Sequence, residues 1–281
     1  MTGARVLLAG TLAMLAFAGN SLLCRMALKH TTIDAATFTS VRLVSAAVAM
    51  GAILALRGQF RNCGGNWLSA LALFAYAGFF SFAYVGLSAA VGALLLFASV
   101  QVSMISAGIL TGDRPSLTQA AGLALALAGF VWLLLPGLAA PPLAASVQMI
   151  IAGIAWGAYS LRGRGSGDPL RETAGNFLRT VPMTLALSAL WAGQMSLDTS
   201  GLLYAVLSGA LTSGVGYAIW YWVLPELRAI QASTMQLSVP VIAAFGGVAL
   251  LGEDLSLRLI IAALAILAGI AIVILDKQRV A

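Results

Sequence analysis

The stretch TMQLSVPVIAAFGGVALLGEDLS, residues 234–256, is almost entirely apolar or small, yet it contains a proline and two acidic residues. A proline such as Pro240 removes a backbone hydrogen bond from a helix interior, which lipid cannot replace. We therefore expect Pro240 to face a central cavity. Glu253 and Asp254 are costly in lipid, and we expect them to end one helix and begin the next without being buried.

The whole chain has the composition of a membrane protein. Of its 281 residues, 61% are hydrophobic and only 9% are charged, and the mean hydropathy is +0.99. A helix needs about 20 apolar residues to cross a bilayer, and continuous runs favour helices over a β-barrel. We predict an all-α integral membrane protein with ten transmembrane helices, near residues 5–28, 35–56, 67–86, 91–110, 117–135, 144–161, 175–193, 202–222, 229–251 and 256–275.

Basic residues follow alternate helices, which predicts the orientation of the chain. One side of the ten-helix arrangement carries Arg5, Arg57, Arg61, Arg114, Arg162, Arg164, Arg171, Arg228, Lys277 and Arg279. The loops and flanks of the other side carry Arg25, Lys29 and Arg258. Basic loops stay in the cytoplasm, so we predict both termini to be cytoplasmic, in the cytoplasmic (inner) membrane of a bacterium.

The two halves of the chain resemble each other. AFAGNSLLCR at 16–25 aligns with AWGAYSLRGR at 155–164, and SVQVSMISAGILTGDRPSL at 99–117 aligns with SVPVIAAFGGVALLGEDLSL at 238–257. This alignment places Asp113 opposite Glu253. We predict two five-helix repeats, residues 1–138 and 139–281. Because five is odd, the second repeat enters the membrane from the opposite face, as in many secondary transporters.

The sequence lacks the patterns of other functional classes. It has no Walker A loop, no HExxH motif and no buried acid pair, so we expect neither an enzyme nor a metal site nor a cofactor. The net charge of +6 follows from the basic loops and does not require a nucleic-acid partner. We predict a monomer whose partners are the lipid bilayer and a small molecule.

A longer segment of the second half, YAIWYWVLPELRAIQASTMQLSVPVIAAFGGVALLGE at 217–253, resembles the EamA family of the drug/metabolite transporter superfamily. The resemblance covers essentially the whole chain. The first half departs from the family pattern with Gln101 in place of proline and Gly112-Asp113 in place of Gly-Glu. The resemblance implies a ten-helix fold with two repeats and movement of metabolites across the cytoplasmic membrane. Within the superfamily, the chain resembles the YddG-type amino-acid exporters most.

Polar and aromatic side chains within the helices are the candidate substrate-binding residues. Such groups are costly at depth unless they face protein or a cavity. Buried amides in particular require several hydrogen-bond partners, although they could instead bridge helices, and the aromatic rings could instead form an interfacial belt. We predict a site formed by Asn20, Tyr84, Ser99, Gln101, Trp156, Tyr159, Tyr217, Gln236, Ser238 and Pro240.

Two arginines lie one to two turns inside predicted helices, Arg42 in the second and Arg179 in the seventh. Either could bind a substrate carboxylate. The EamA pattern often has arginine at this place in both repeats, and this resemblance favours a structural role.

The distribution of titratable residues bears on the transport mechanism. Proton-coupled carriers usually need an acid or a histidine in the core, whereas His30 lies in a loop and the acids map to helix ends. We predict an amino-acid or metabolite exporter that works by alternating access, through facilitated diffusion or exchange. The alternatives are an importer or a carrier of another solute class, such as a cationic drug or a nucleotide sugar.

Overall fold

The computed structural model describes residues 3–59, 63–112, 115–137, 140–163, 167–227, 232 and 235–276. Within these ranges the chain forms α1 to α11 and shorter irregular turns. The α-helices are Gly3–His30, Ala35–Leu56, Trp67–Gly86, Ala89–Leu110, Leu117–Leu134, Leu143–Arg162, Pro169–Leu190, Thr199–Val206, Gly216–Val223, Ser238–Leu251 and Leu257–Asp276. Parts of the repeat and orientation predictions depend on residues that lie outside the described ranges: Arg61, Asp113, Arg114, Arg164, Arg228, Lys277 and Arg279.

Eight helical segments of the described chain are long and apolar enough to cross a membrane. One of them, Thr199–Glu226, combines α8, a π-helical segment Leu207–Val215, α9 and a short 3-10 turn. The helix α10 is also apolar but has only 14 residues. The helix α7 carries Arg171, Glu172 and Arg179 and is the least apolar of the long helices. The arrangement is that of a multi-pass membrane protein.

Polar side chains set several helix starts. The side chain of Asp34 accepts hydrogen bonds from the backbone N–H groups of Ala36 and Thr37 at the start of α2, and Asn66 accepts one from Ser69 at the start of α3. Such caps satisfy N–H groups that have no partner within the helix. Asp168 caps α7, whose first residue is Pro169. This helix therefore begins earlier than the predicted 175–193.

Pro240 corrects the prediction for the ninth helix, which was a continuous span over 229–251. The described helix α10 begins at Ser238, so Pro240 is its third residue. The first four N–H groups of a helix have no intrahelical partner, and a proline there removes no hydrogen bond. Pro240 is buried in the first turn of this helix.

Helices from both halves of the chain pack against each other. The helix α6 packs on α3 and α4, α1 packs on α9 and α10, α2 packs on α7 and the π-helical segment, and α5 packs on α11. Gly153 allows the close approach of α6 and α4, because an added Cβ would lie 2.7 Å from the carbonyl oxygen of Leu96. The central space is left between α1, α3, α4, α6, α7 and the segment that contains α9.

Candidate functional site

A cavity of about 430 Å³ lies in this central space. Its deep part is bordered by Asn20, Tyr76 and Phe80, and it reaches the surface where α6 ends and α3 begins, at the exposed residues Arg162 and Asn66. We call this the Arg162 end of the molecule. The opposite end, where α1 ends near Arg25 and α4 begins, is the Arg25 end. The volume lies in the range of small-molecule sites.

An aromatic wall surrounds Trp156, which lies about two thirds of the way along α6. Its ring centroid is 4.8 Å from that of Tyr76, 5.2 Å from that of Tyr217 and 5.3 Å from that of Tyr159, with which it stacks. The hydroxyl of Tyr159 donates to Thr173 Oγ1 at 3.0 Å. Rings held in this way provide a large, rigid apolar surface with a few polar atoms at its edge.

The deep part of the cavity ends at a connected set of polar groups. Asn20 Nδ2 donates to the Tyr76 hydroxyl at 3.3 Å, and Ser208 Oγ donates to Asn20 Oδ1 at 2.7 Å. Arg42 Nη2 also donates to the Tyr76 hydroxyl, at 3.2 Å. Ser208 belongs to the π-helical segment, a deviation that is frequent at functional sites.

The Arg162 end is bordered by contacts between the α2–α3 connection and α7. The backbone N–H of Gly65, a residue with a left-handed φ of 87°, donates to Glu172 Oε2 at 2.7 Å. The N–H of Asn66 donates to Asn176 Oδ1 at 2.9 Å. Arg162 donates from Nε to Ser69 Oγ and from Nη2 to Asn66 Oδ1, both at 3.1 Å. These contacts join α3, α6 and α7 beside the opening.

The Arg25 end is closed by a buried ion pair. Arg25 Nε lies 2.9 Å from Glu253 Oε1, and the two side chains are 14% and 6% exposed. Glu253 Oε2 accepts from the N–H of Ala89 at 2.7 Å, and Arg25 Nη1 donates to the carbonyl oxygens of Tyr84 and Val85. The left-handed Gly252 ends α10 and delivers Glu253 into this site. The expectation that Glu253 is not a buried charge is therefore wrong.

The cavity is lined by six of the ten predicted site residues: Asn20, Gln101, Trp156, Tyr159, Tyr217 and Gln236. The other four lie elsewhere. Tyr84 continues the stripe of Tyr76 and Phe80 on α3 but lies one turn deeper, packed edge to face on Phe80 in the closed Arg25 end. Ser99 packs against Gly153 at the contact of α4 with α6, and its hydroxyl has no hydrogen-bond partner among the described residues.

The remaining two lie at the start of α10. The hydroxyl of Ser238 donates to the carbonyl oxygen of Met235 at 2.6 Å, and Pro240 occupies the first helical turn. Neither residue is among the described residues that line the cavity, and their part in substrate binding stays a prediction. Tyr76, Asn66, Glu172, Thr173 and Asn176 line the cavity without having been among the ten. Asn176 was detectable as an amide two turns inside a helix, whereas Asn66 looks like an ordinary helix cap.

The two arginines singled out from the sequence differ in their surroundings. Arg179 Nη1 donates to the carbonyl oxygens of Gly64 and Gly175, at 2.7 and 2.9 Å, so it ties α7 to the α2–α3 connection. Arg42 is only 2% exposed, and its Nη1 has no partner among the described residues.

A bundle of apolar helices around an aromatic and amide-lined cavity is the architecture of a membrane transporter. The EamA-like transporter family matches this chain twice, over residues 4–135 and 143–275, and the chain belongs to that family. The family places it with the membrane transporters of the drug/metabolite type.

Two relatives and one solved structure extend the comparison. The chain is 54% identical to the uncharacterized protein PA1977 of Pseudomonas aeruginosa, over 99% of this chain and 97% of the relative. It is 28% identical to the uncharacterized transporter YoaV of Bacillus subtilis, over 43% of this chain and 44% of the relative. A solved crystal structure superposes with a TM-score of 0.69 at 19% identity, covers 99% of each chain, and therefore shows the likeness of the fold alone.

Proposed function

We propose that this protein is a secondary transporter that exports amino acids or related small metabolites across the cytoplasmic membrane by alternating access. The observation that carries the proposal is a cavity of about 430 Å³ that begins at the centre of the bundle, reaches one end and is closed at the other. A carrier must offer its site to one side at a time. By the positive-inside rule, the open Arg162 end is cytoplasmic, so substrate enters from the cytoplasm in this conformation.

The packing of the helices supports two inverted five-helix repeats and ten transmembrane segments. In two such repeats, α7 is the counterpart of α2 and α11 is the counterpart of α5. Each of these helices packs against its own counterpart. The segment that contains α9 is the counterpart of α3, and α6 is the counterpart of α1. The contact of α3 with α6 therefore has its equivalent in the contact of α9 with α1. Pairwise relations of this kind are expected when one repeat rocks against the other.

Facilitated diffusion or exchange fits the charges of the cavity. Glu172 is the one acidic residue among the described residues that line it, and it lies at the opening, where it binds the backbone of Gly65. A proton carrier at the centre would require an acid or histidine at depth. Exchange should therefore be independent of an imposed pH gradient.

The proposal is tested by counterflow of radiolabelled amino acids into liposomes that contain the purified protein. Trp156→Ala should reduce exchange at least about tenfold, because it removes the ring at the centre of the aromatic wall. Trp132→Ala is the matched control, since Trp132 is 47% exposed on the outer surface of the bundle, and it should leave exchange unchanged.

Three outcomes would contradict the proposal. Counterflow of a cationic drug or a nucleotide sugar without any amino acid would move the protein to another solute class. Accumulation that follows an imposed pH gradient would exclude uncoupled exchange. Equal loss of exchange in both tryptophan variants would show that the cavity does not carry the activity.

A further inference from the structure

Arg42 is a buried cation that has no counter-ion in the part of the chain that the structure describes. It lies in α2, is 2% exposed, and places its guanidinium carbon 4.7 Å from the ring centroid of Phe80 and 5.3 Å from that of Tyr76. Its Nη1 makes no hydrogen bond to any described residue, and the described ion pairs do not include it. A lone buried charge is costly, so this arrangement calls for a compensating negative group.

Two other partly or fully buried arginines are compensated within the protein. Arg25 pairs with Glu253, and Arg179 donates to two backbone carbonyl oxygens. Both therefore have all the partners that a structural role requires. Arg42 differs because, among the described residues, its guanidinium donates to the neutral hydroxyl of Tyr76 and pairs with no acid.

The Tyr76 hydroxyl connects Arg42 to the cavity. It accepts hydrogen bonds from Arg42 Nη2 at 3.2 Å and from Asn20 Nδ2 at 3.3 Å. The orientation of the Asn20 amide is fixed by Ser208, which donates to its oxygen. A hydroxyl that accepts from two donors still has its own proton to donate. Because Tyr76 lines the cavity, this proton is available to a ligand, and the positive charge behind it favours an anion.

We propose that the Tyr76 hydroxyl binds a carboxylate of the transported solute and that Arg42 supplies the positive charge for this binding. A carboxylate oxygen at hydrogen-bonding distance from the hydroxyl would lie within roughly 6 Å of the guanidinium. Because Arg42 is buried away from water, its attraction for an anion at this point is less screened than that of an exposed charge.

The aromatic wall defines the rest of the ligand. Trp156 contacts both Tyr76 and Tyr217, so a group attached to the carboxylate meets aromatic rings. The substrate class is therefore a small monocarboxylate with an apolar or aromatic side chain, such as a large neutral amino acid. This inference rests on the proposed function, because it assumes that the transported solute occupies this cavity.

The test compares two probes that differ only in the carboxylate, phenylalanine and phenethylamine. Their binding to the purified protein in detergent is measured from the concentration dependence of the thermal unfolding temperature. The intact protein should prefer phenylalanine at least about tenfold, since hydrogen bonds to charged groups are the strong ones. Tyr76→Phe keeps the ring and removes the hydroxyl, and it should reduce this preference by about tenfold.

Two further variants separate recognition from structure. Tyr204→Phe is the matched control, because Tyr204 lies on α8 outside the cavity lining, and it should keep the preference. Arg42→Met replaces the charge by a neutral chain that is inexpensive to bury and should also reduce the preference. If Arg42 were only structural, this variant would change the unfolding temperature and leave the ratio of the two affinities intact.

Two binding results would overturn the inference. One is an intact protein that binds phenethylamine as tightly as phenylalanine. The other is an unchanged preference in both Tyr76→Phe and Arg42→Met. Because binding is measured without transport, a carboxylate preference that Tyr76→Phe and Arg42→Met reduce, combined with failed counterflow, would contradict the proposed function and leave only the carboxylate-binding site standing. Counterflow of phenylalanine that is unchanged in both Tyr76→Phe and Arg42→Met would leave the proposed function standing and overturn this inference.

Discussion

The two ends of the cavity are held by contacts of different kinds. At the Arg25 end, a nearly dry ion pair joins α1 to the residues after α10 and to the start of α4. At the Arg162 end, the contacts of Arg162 are to neutral oxygens and are partly exposed. A charge buried with one partner depends strongly on that partner, whereas exposed polar contacts contribute little. The closed end therefore depends on an ion pair of low exposure, whereas the open end is held by several partly exposed and weaker contacts.

The largest expected effect follows from Glu253→Gln, which removes the charge and keeps an oxygen for the N–H of Ala89. Arg25 would then lie at a site of low exposure without a counter-ion, and the free energy of unfolding should fall by about 3 kcal/mol. Thermal unfolding in detergent measures the change. Asp254→Asn is the matched control, because this neighbouring acid is exposed, and it should unfold at the temperature of the unmodified protein.

A second substitution at the Arg25 end checks the reason for this effect. Adding Arg25→Gln to Glu253→Gln removes the uncompensated charge, so the double variant should be more stable than Glu253→Gln alone. If Glu253→Gln unfolded together with Asp254→Asn, the ion pair would not be what holds the closed end.

The open end should respond differently to the same exchange of glutamate for glutamine. Glu172 accepts from the N–H of Gly65 at 2.7 Å and is partly exposed. Glu172→Gln keeps an oxygen acceptor and should change stability little, whereas Glu172→Ala leaves the N–H to water and should cost about 1 kcal/mol. Thermal unfolding of both variants beside Glu253→Gln completes the comparison. If Glu172→Gln lowered the free energy of unfolding as much as Glu253→Gln does, the two ends would not be held by contacts of different strength.

Local sequence was enough to predict many helix positions but not the depth of side chains. The predicted span 35–56 coincides with α2 because Asp34 caps its start, and 67–86 coincides with α3 because Asn66 caps its start. Both are short-range effects of residues adjacent in sequence. The family resemblance, which depends on the same local patterns, is also confirmed.

Contacts between distant residues were not predictable in this way. Glu253 ends a helix in sequence, but its partner Arg25 is 228 positions away, and only the packing of α10 against α1 and α4 brings them together. Tyr76 and Tyr84 lie on the same face of α3, yet one lines the cavity and the other lies in the closed end. Sequence periodicity predicts a face of a helix and does not fix the depth at which a cavity ends.

A pH-dependent effect is expected at Asp34, which lies at the Arg25 end outside the membrane-spanning helices. Besides capping α2, its Oδ2 accepts from the N–H of Ser196 at 2.9 Å and so ties two connections together. Burial raises the pKa of this carboxyl, but the hydrogen bonds from Ser196, Thr37 and Ala36 outweigh burial and hold the pKa below its usual range. At neutral pH, Asp34→Ala should lower the free energy of unfolding by about 1 to 2 kcal/mol.

The pH dependence of this effect has a definite sign. Because the folded state favours the ionised carboxylate, the contribution of Asp34 is fully present above the pKa of the unfolded chain, about 3.9. It is lost as the pH falls through the lower pKa of the folded state. The unfolding temperatures of Asp34→Ala and the unmodified protein should therefore differ at pH 7 and approach each other below about pH 4.

Asp198→Ala is a suitable comparison, since Asp198 caps α8 through one hydrogen bond, to the N–H of Gly201, and its removal should cost less. If the difference in unfolding temperature between Asp34→Ala and the unmodified protein grew as the pH fell, the folded state would favour the protonated form of Asp34. The ionised carboxylate would then not stabilise the closed end.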